Sequence, residues 1–201
     1  MLYGPFAWTY DAVAWLVSFG QWTAWGRVAL RRLRGPMVLE LAQGPGHLLV
    51  AMARQGLTPV GLDLSPQMGR LARRRLVRLS LPLRLVRARA QALPFRDGTF
   101  PDVVATFPTE FILAPRTLRE VKRVLSPGGE IVVVAGAQLT GRDPLSRFLE
   151  WLYRITGQRA PLPRGDEPLW EESGLTLRAE WISAARSRVL LVVGGPAPGD
   201  W

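Results

Sequence analysis

The segment Val38-Leu39-Glu40-Leu41-Ala42-Gln43-Gly44-Pro45-Gly46-His47 constrains this chain more than any other, together with Val60-Gly61-Leu62-Asp63 about twenty residues later. A short apolar run enters a Gly-x-Gly turn, a helical stretch follows, and a second short apolar run ends on an acid. Glycine lets backbone approach a ligand closely, and a carboxylate at a strand tip can accept both hydroxyls of a ribose. The layout predicts a nucleoside-containing ligand held at the ends of two parallel strands.

The rest of the chain follows the same alternation. Strands are predicted over Met37 to Leu41, Val60 to Asp63, Leu83 to Val86, Asp102 to Thr106 and Glu130 to Ala135. Helices are predicted over His47 to Gln55, from Ser65-Pro66-Gln67-Met68 onward, and over Thr117 to Leu125. Ser65 has the chemistry of an N-cap and Pro66 suits the first helical position. Alternating units at this spacing imply a parallel sheet covered on both faces. After Asp143, Pro144 to Ile155 reads as helix and Gly157 to Pro168 as loop. Leu175 to Ile182 and Ser187 to Val193 then read as a closing antiparallel hairpin. The expected architecture is one α/β domain, with residues 1–36 a helical cap and 37–201 a Rossmann-like core. Its sheet has seven mostly parallel strands.

Four segments resemble class I S-adenosylmethionine-dependent methyltransferases, small-molecule and quinone-type members in particular. They are Glu40 to Gly46, the strand ending in Asp63, Arg89-Ala90-Gln91-Ala92-Leu93-Pro94-Phe95, and Arg123-Val124-Leu125-Ser126-Pro127-Gly128-Gly129. The resemblance implies S-adenosylmethionine as cofactor. Ala42, Gly44 and Gly46 would pass beneath its amino-acid part, and Glu40 would bind its ammonium. Asp63 would take the ribose, while Leu64 and Met68 would pack on adenine. Ala90 and Gln91 would contact adenine through backbone, and Thr106 would complete the cofactor wall. Ala42 replaces a family glycine, a mild change if φ there is negative. Arg89 replaces the usual adenine-binding acid and cannot accept a proton from the amine. A dinucleotide dehydrogenase would need Gly or Ala three residues after Gly46, where this chain has Leu49.

Methyl transfer from a sulfonium needs alignment and exclusion of water more than acid–base help. The stretch Thr106-Phe107-Pro108-Thr109-Glu110-Phe111 lacks the Asn/Asp-Pro-Pro-aromatic motif of amide- and adenine-amino methyltransferases. That argues against those acceptors. Phe107 and Phe111 are candidate walls of an acceptor pocket, and Glu110 is the candidate base, although a loop acid is more often simply solvated. Trp8, Trp15 and Trp22 recur every seven residues. Such a stripe ordinarily means core packing. With Tyr10 and Trp22 facing the acceptor, it would instead be a lid over an apolar or aromatic small molecule, hinged at Gly20 and Gly26. A methyltransferase-like scaffold without catalysis is the alternative.

Composition narrows the remainder. Cysteine is absent and His47 is the single histidine, so thiolate and multi-histidine metal sites are excluded and no metal is expected. Net charge is +10, with 26 basic residues of which all but Lys122 are arginine. That bias reads as a preference spread along the chain, which argues against a nucleic-acid partner. The Trp- and Arg-rich N-terminus leaves a peripheral membrane contact open, and a monomer and a homodimer fit equally well. No run approaches the ~20 apolar residues of a membrane span, and no basic lead precedes an apolar run, so a cytoplasmic location is expected.

Overall fold

The computed structural model describes residues 22–140, 173–184 and 187–197. The predictions for Trp8, Tyr10, Trp15, Gly20, the Pro144 to Ile155 helix and the Gly157 to Pro168 loop lie outside those residues. In chain order the elements begin with α1 (Trp22–Gly26), a 3-10 helix Arg27–Arg31, β1 (Met37–Leu41), α2 (His47–Arg54) and β2 (Thr58–Leu62). They continue with α3 (Pro66–Arg78), β3 (Leu85–Val86), β4 (Phe100–Thr106) and a 3-10 helix Glu110–Leu113. Last come α4 (Pro115–Val124), β5 (Leu125–Leu139), β6 (Leu175–Ala184) and β7 (Ser187–Pro196).

All seven strands join one sheet in the order β3-β2-β1-β4-β5-β7-β6. The first five are parallel neighbours, with Leu39 opposite both Val60 and Val103, and Val103 opposite Ile131. β7 returns antiparallel to β5, and β6 pairs antiparallel with β7. The strand order reverses between β1 and β4, so a crevice opens beyond their carboxyl ends. Open α/β sheets bind ligands at such a switch point.

Strand residues alternate between two apolar layers, as the period of two requires. Val38, Val104, Val132 and Val193 face the layer built from Trp25, Val28, Leu48 to Met52 and Leu76. Leu39, Val103, Ile131 and Val192 face the layer of Leu118, Val121 and Val124. β1 matches its expected bounds, and Ser65 caps α3 by accepting from Met68 N–H at 3.3 Å. β3 is shorter than predicted: Leu83 and Arg84 are exposed, and only Leu85 and Val86 pair in register with β2, although the Arg84 carbonyl still accepts from Gly61 N–H at 2.8 Å. β5 runs longer than the predicted Glu130 to Ala135 and takes in Ser126 to Gly129.

The helical segment before β1 is packed into the domain where it is described. Trp25, Val28 and Ala29 are buried, and the Trp25 ring lies 6.2 Å from that of Phe107. Buried Asp102 accepts from both Arg34 and Gly35 N–H at 2.8 Å, which fixes the entry to β1 against the start of β4. The end of this segment is core, as helical periodicity favours; Gly26 sits in it, packed toward Thr106.

Candidate functional site

The turn after β1 is built on three left-handed residues at alternate positions. Ala42, Gly44 and Gly46 have φ of +52°, +53° and +80°. Gly46 could carry no side chain without strain, and an added Cβ would also lie 3.0 Å from that of Ala72. Above Gly44 there is open space, the nearest atom to an added Cβ being 4.0 Å away. A ligand can therefore lie directly on the Gly44 backbone. Ala42 departs from expectation. Its φ is positive, so alanine here carries a backbone cost of about 1–2 kcal/mol that glycine would avoid.

Glu40, one residue before the end of β1, is 1% exposed, and its Oε2 has no hydrogen-bond partner. Burial, followed by the nearby Asp63 charge, holds its carboxyl well above the usual carboxylate range, while the Leu49 amide pulls the other way. An acid in this state is poised for a cation: a bound ammonium would supply both the missing partner and the missing countercharge. Asp63 lies just past β2. Its Oδ2 accepts from Gly44 N–H at 3.0 Å and its Oδ1 from Ser65 N–H at 2.8 Å. Burial raises its pKa, opposed by the amides of Ser65, Gly44 and Leu64. Each oxygen keeps a lone pair for a further donor, which suits a vicinal diol.

The flanking residues are distributed as follows. Leu64 is 51% exposed beside Asp63 and free to cover a ligand face, whereas Met68 is buried on the inner side of α3. Ala90 is buried and Gln91 half-buried in the loop after β3. Arg89 is exposed there, and its carbonyl accepts from Ala92 N–H at 3.1 Å. Thr106 ends β4, where its methyl lies 3.6 Å from the position of a Cβ on Gly26. Phe107 follows with φ +47°, a strained conformation for an aromatic residue, and packs on the Trp25 layer. Phe111 packs on the opposite layer, so the two aromatic rings divide between the faces of the sheet. Glu110 is exposed at the start of its 3-10 helix. Trp22 belongs to α1, and Tyr10 lies outside the described residues.

Residues 38–129 match the family described as methyltransferase domain. Over these residues the chain is similar to the class I S-adenosylmethionine-dependent methyltransferases. A demethylmenaquinone methyltransferase of Thermus thermophilus is 38% identical over 131 residues, which cover 62% of this chain and 60% of that protein. A ubiquinone/menaquinone biosynthesis C-methyltransferase of Geobacter sulfurreducens is 33% identical over 153 residues, covering 72% and 58%. The chain thus spans about three-fifths of the length of these curated relatives. A geranyl diphosphate methyltransferase, solved in complex with S-adenosylmethionine, shares the fold. Its TM-score is 0.64 and its identity 16%, over 87% of this chain and 85% of that one. The methyltransferase cofactor fits the residues present: an unpartnered buried acid for its ammonium, open glycine backbone, and a carboxylate for its ribose.

Three supports of the candidate site have no local signature in the sequence. Gln43 is 4% exposed; its N–H donates to the Leu62 carbonyl at 3.2 Å and its carbonyl accepts from Gly46 N–H at 3.0 Å, which ties the turn to β2. Arg75 of α3 donates to the Pro45 carbonyl and so holds the turn from outside. Glu120 and Arg123 of α4 clamp the loop after β3. Leu93 N–H donates to Glu120 at 2.6 Å, and Arg123 donates to the carbonyls of Leu93 and Phe95 at 2.9 and 2.8 Å. Arg123, ahead of the backbone amide of Leu93, holds the Glu120 carboxyl below its ordinary range. The signal was present as an i, i+3 acid–base pair, but its loop partners lie about thirty residues away.

Proposed function

We propose that the protein transfers a methyl group from S-adenosylmethionine to a small apolar aromatic acceptor, a quinol being the favoured class. The observation that carries this reading is the pair Glu40 and Asp63 on either side of the open Gly44 backbone. Bound there, the cofactor supplies an electrophilic methyl and a thioether leaving group. Glu40 then neutralises the ammonium, and Asp63 fixes the ribose. Leu64, Ala90 and Gln91 border adenine, with Ala42, Gly44, Gly46 and Thr106 forming the floor. Met68 serves from beneath by packing α3.

The acceptor side is supported by chemistry and by the relatives. Their names specify quinone precursors, and one specifies transfer to carbon. An electrophilic methyl needs an electron-rich carbon, which the reduced quinol ring provides. The ring carbon forms a bond to the methyl as the sulfur–methyl bond breaks, and the ring then loses its displaced hydrogen as a proton. Phe107 beside Trp25 offers an aromatic wall at the end of β4, with Tyr10, Trp22 and Phe111 as further candidate walls. Glu110 is the one acid in the stretch from Thr106 to Ala114 and the candidate to take the quinol hydroxyl proton.

The experiment is transfer from cofactor labelled on its methyl group to a prenylated naphthoquinol. The reading predicts label on a ring carbon and none on the oxidised quinone. Tight cofactor binding with no transfer to any quinol, catechol or other small aromatic acceptor would favour the scaffold alternative instead.

A further inference from the structure

The outer surface of α2 and α3 carries a second feature, independent of the acceptor reading. A cleft of about 450 Å³ lies between α1, α2 and α3. Arg27, Arg54, Arg74 and Arg78 line it, beside His47 and Arg75. The first four are exposed, and none of them has a carboxylate partner among the described residues. The sequence explains why. From Leu41 to Arg96 there are ten arginines and a single acid, Asp63, which faces the cofactor turn instead. By contrast, Arg123 on α4 is paired with Glu120 and Asp97. Arg116 and Arg119 on α4 are exposed as well, but the cleft gathers four exposed arginines in one place with no described carboxylate between them.

Exposed aliphatic side chains lie on the C-terminal half of α3 and in the loop that follows it. Val77, Leu79 and Leu83 are 53%, 38% and 46% exposed, and Leu79 also lines the cleft. Exposed aliphatic residues gain nothing beside a nucleic acid, which is held by phosphate contacts and aromatic stacking. Beside a lipid surface they enter the acyl boundary while guanidinium groups bind headgroup phosphates. The large exposed aromatic among the described residues, Trp181, is on β6 at the far edge of the sheet.

We infer that the arginine cleft and its aliphatic rim form a docking surface for an anionic phospholipid membrane. No described helix is long and apolar enough to cross one, so the contact is peripheral. Arginines near such a surface each strengthen partitioning about fivefold, with strong dependence on salt.

Flotation of the full chain tests this with two vesicles, phosphatidylcholine alone and an equal mixture with phosphatidylglycerol. The protein should float with the mixture only, and added salt should release it. Arg74→Gln with Arg78→Gln should weaken that binding roughly twenty- to thirtyfold. Arg116→Gln with Arg119→Gln removes the same charge from α4 on the opposite layer and should change it by less than about twofold. Val77→Ser with Leu83→Ser keeps every charge and should lower binding severalfold. Affinity for S-adenosylhomocysteine should be unchanged in all three, which reports an intact fold; Arg75 is left alone because it holds the Pro45 turn. Equal flotation with neutral vesicles, or equal loss in the two arginine pairs, would overturn the inference. So would preference for a single-stranded oligoribonucleotide that Arg74→Gln with Arg78→Gln abolishes.

Discussion

The two sides of the crevice are built by different means. On the proposed cofactor side, β1, β2 and their turn position Glu40, Gly44 and Asp63 through backbone pairing and buried amides. On the proposed acceptor side, the stretch after β4 offers Phe107 and Phe111 on opposite layers and Glu110 in solvent. The first is fixed before any ligand arrives. The second is borne by short 3-10 turns and loop, the kind of segment on which specificity varies while the scaffold stays constant. The contrast predicts that substitutions on the first side act on cofactor affinity and those on the second on acceptor turnover.

The largest expected effect is at Glu40. Glu40→Gln removes one partner of a buried charge pair and should cost about 3–5 kcal/mol of cofactor affinity by calorimetry. The same change should stabilise the free protein. With its pKa raised in the folded state, Glu40 favours folding below its unfolded value, and that contribution is lost as pH rises through the folded value. Thermal melts at neutral and higher pH should therefore favour the glutamine variant. Asp63→Ala should follow, with a loss of roughly 1.5–3 kcal/mol in the same titration. Unchanged affinity there would remove Asp63 from the site.

Phe107→Ala is the matching cut on the other side. It should leave cofactor affinity intact and lower kcat/KM for the acceptor roughly tenfold, the scale of one aromatic contact of ~1.4 kcal/mol. If cofactor affinity falls equally, the two sides are not separable. The smallest effect is Ala42→Gly, which should raise stability by about 1 kcal/mol because φ +52° suits glycine. A loss of stability would mean that the alanine methyl packs usefully.

The comparison also explains what could be read from sequence. Met37–Leu41, the Ser65 cap and the Asp63 position follow from local pattern: an apolar run, a cap residue and a strand ending on an acid. The sign of φ at Ala42 does not, since alanine rather than glycine occupies a left-handed position. The supports Gln43, Arg75 and the Glu120–Arg123 clamp were illegible for another reason. Arg75 meets Pro45, and Arg123 meets Leu93, across thirty residues that no periodicity links. The scarcity of acids beside the arginines between Leu41 and Arg96 is legible in the sequence, but the meeting of Arg27, Arg54, Arg74 and Arg78 in one cleft depends on how α1, α2 and α3 pack. For the proposed acceptor wall the residue types Phe107 and Phe111 are legible, but their division between two layers depends on how the chain turns after β4.

The most direct test of the central claim is proton release on cofactor binding. S-adenosylhomocysteine is titrated into the protein by calorimetry, in buffers of different ionisation enthalpy and over a range of pH. Below the raised pKa, Glu40 is a neutral acid, and pairing it with the ligand ammonium expels its proton. The account predicts net proton release there, affinity that rises with pH, and loss of both effects in Glu40→Gln. Binding without proton release at any pH, or with the same linkage in Glu40→Gln, would contradict it.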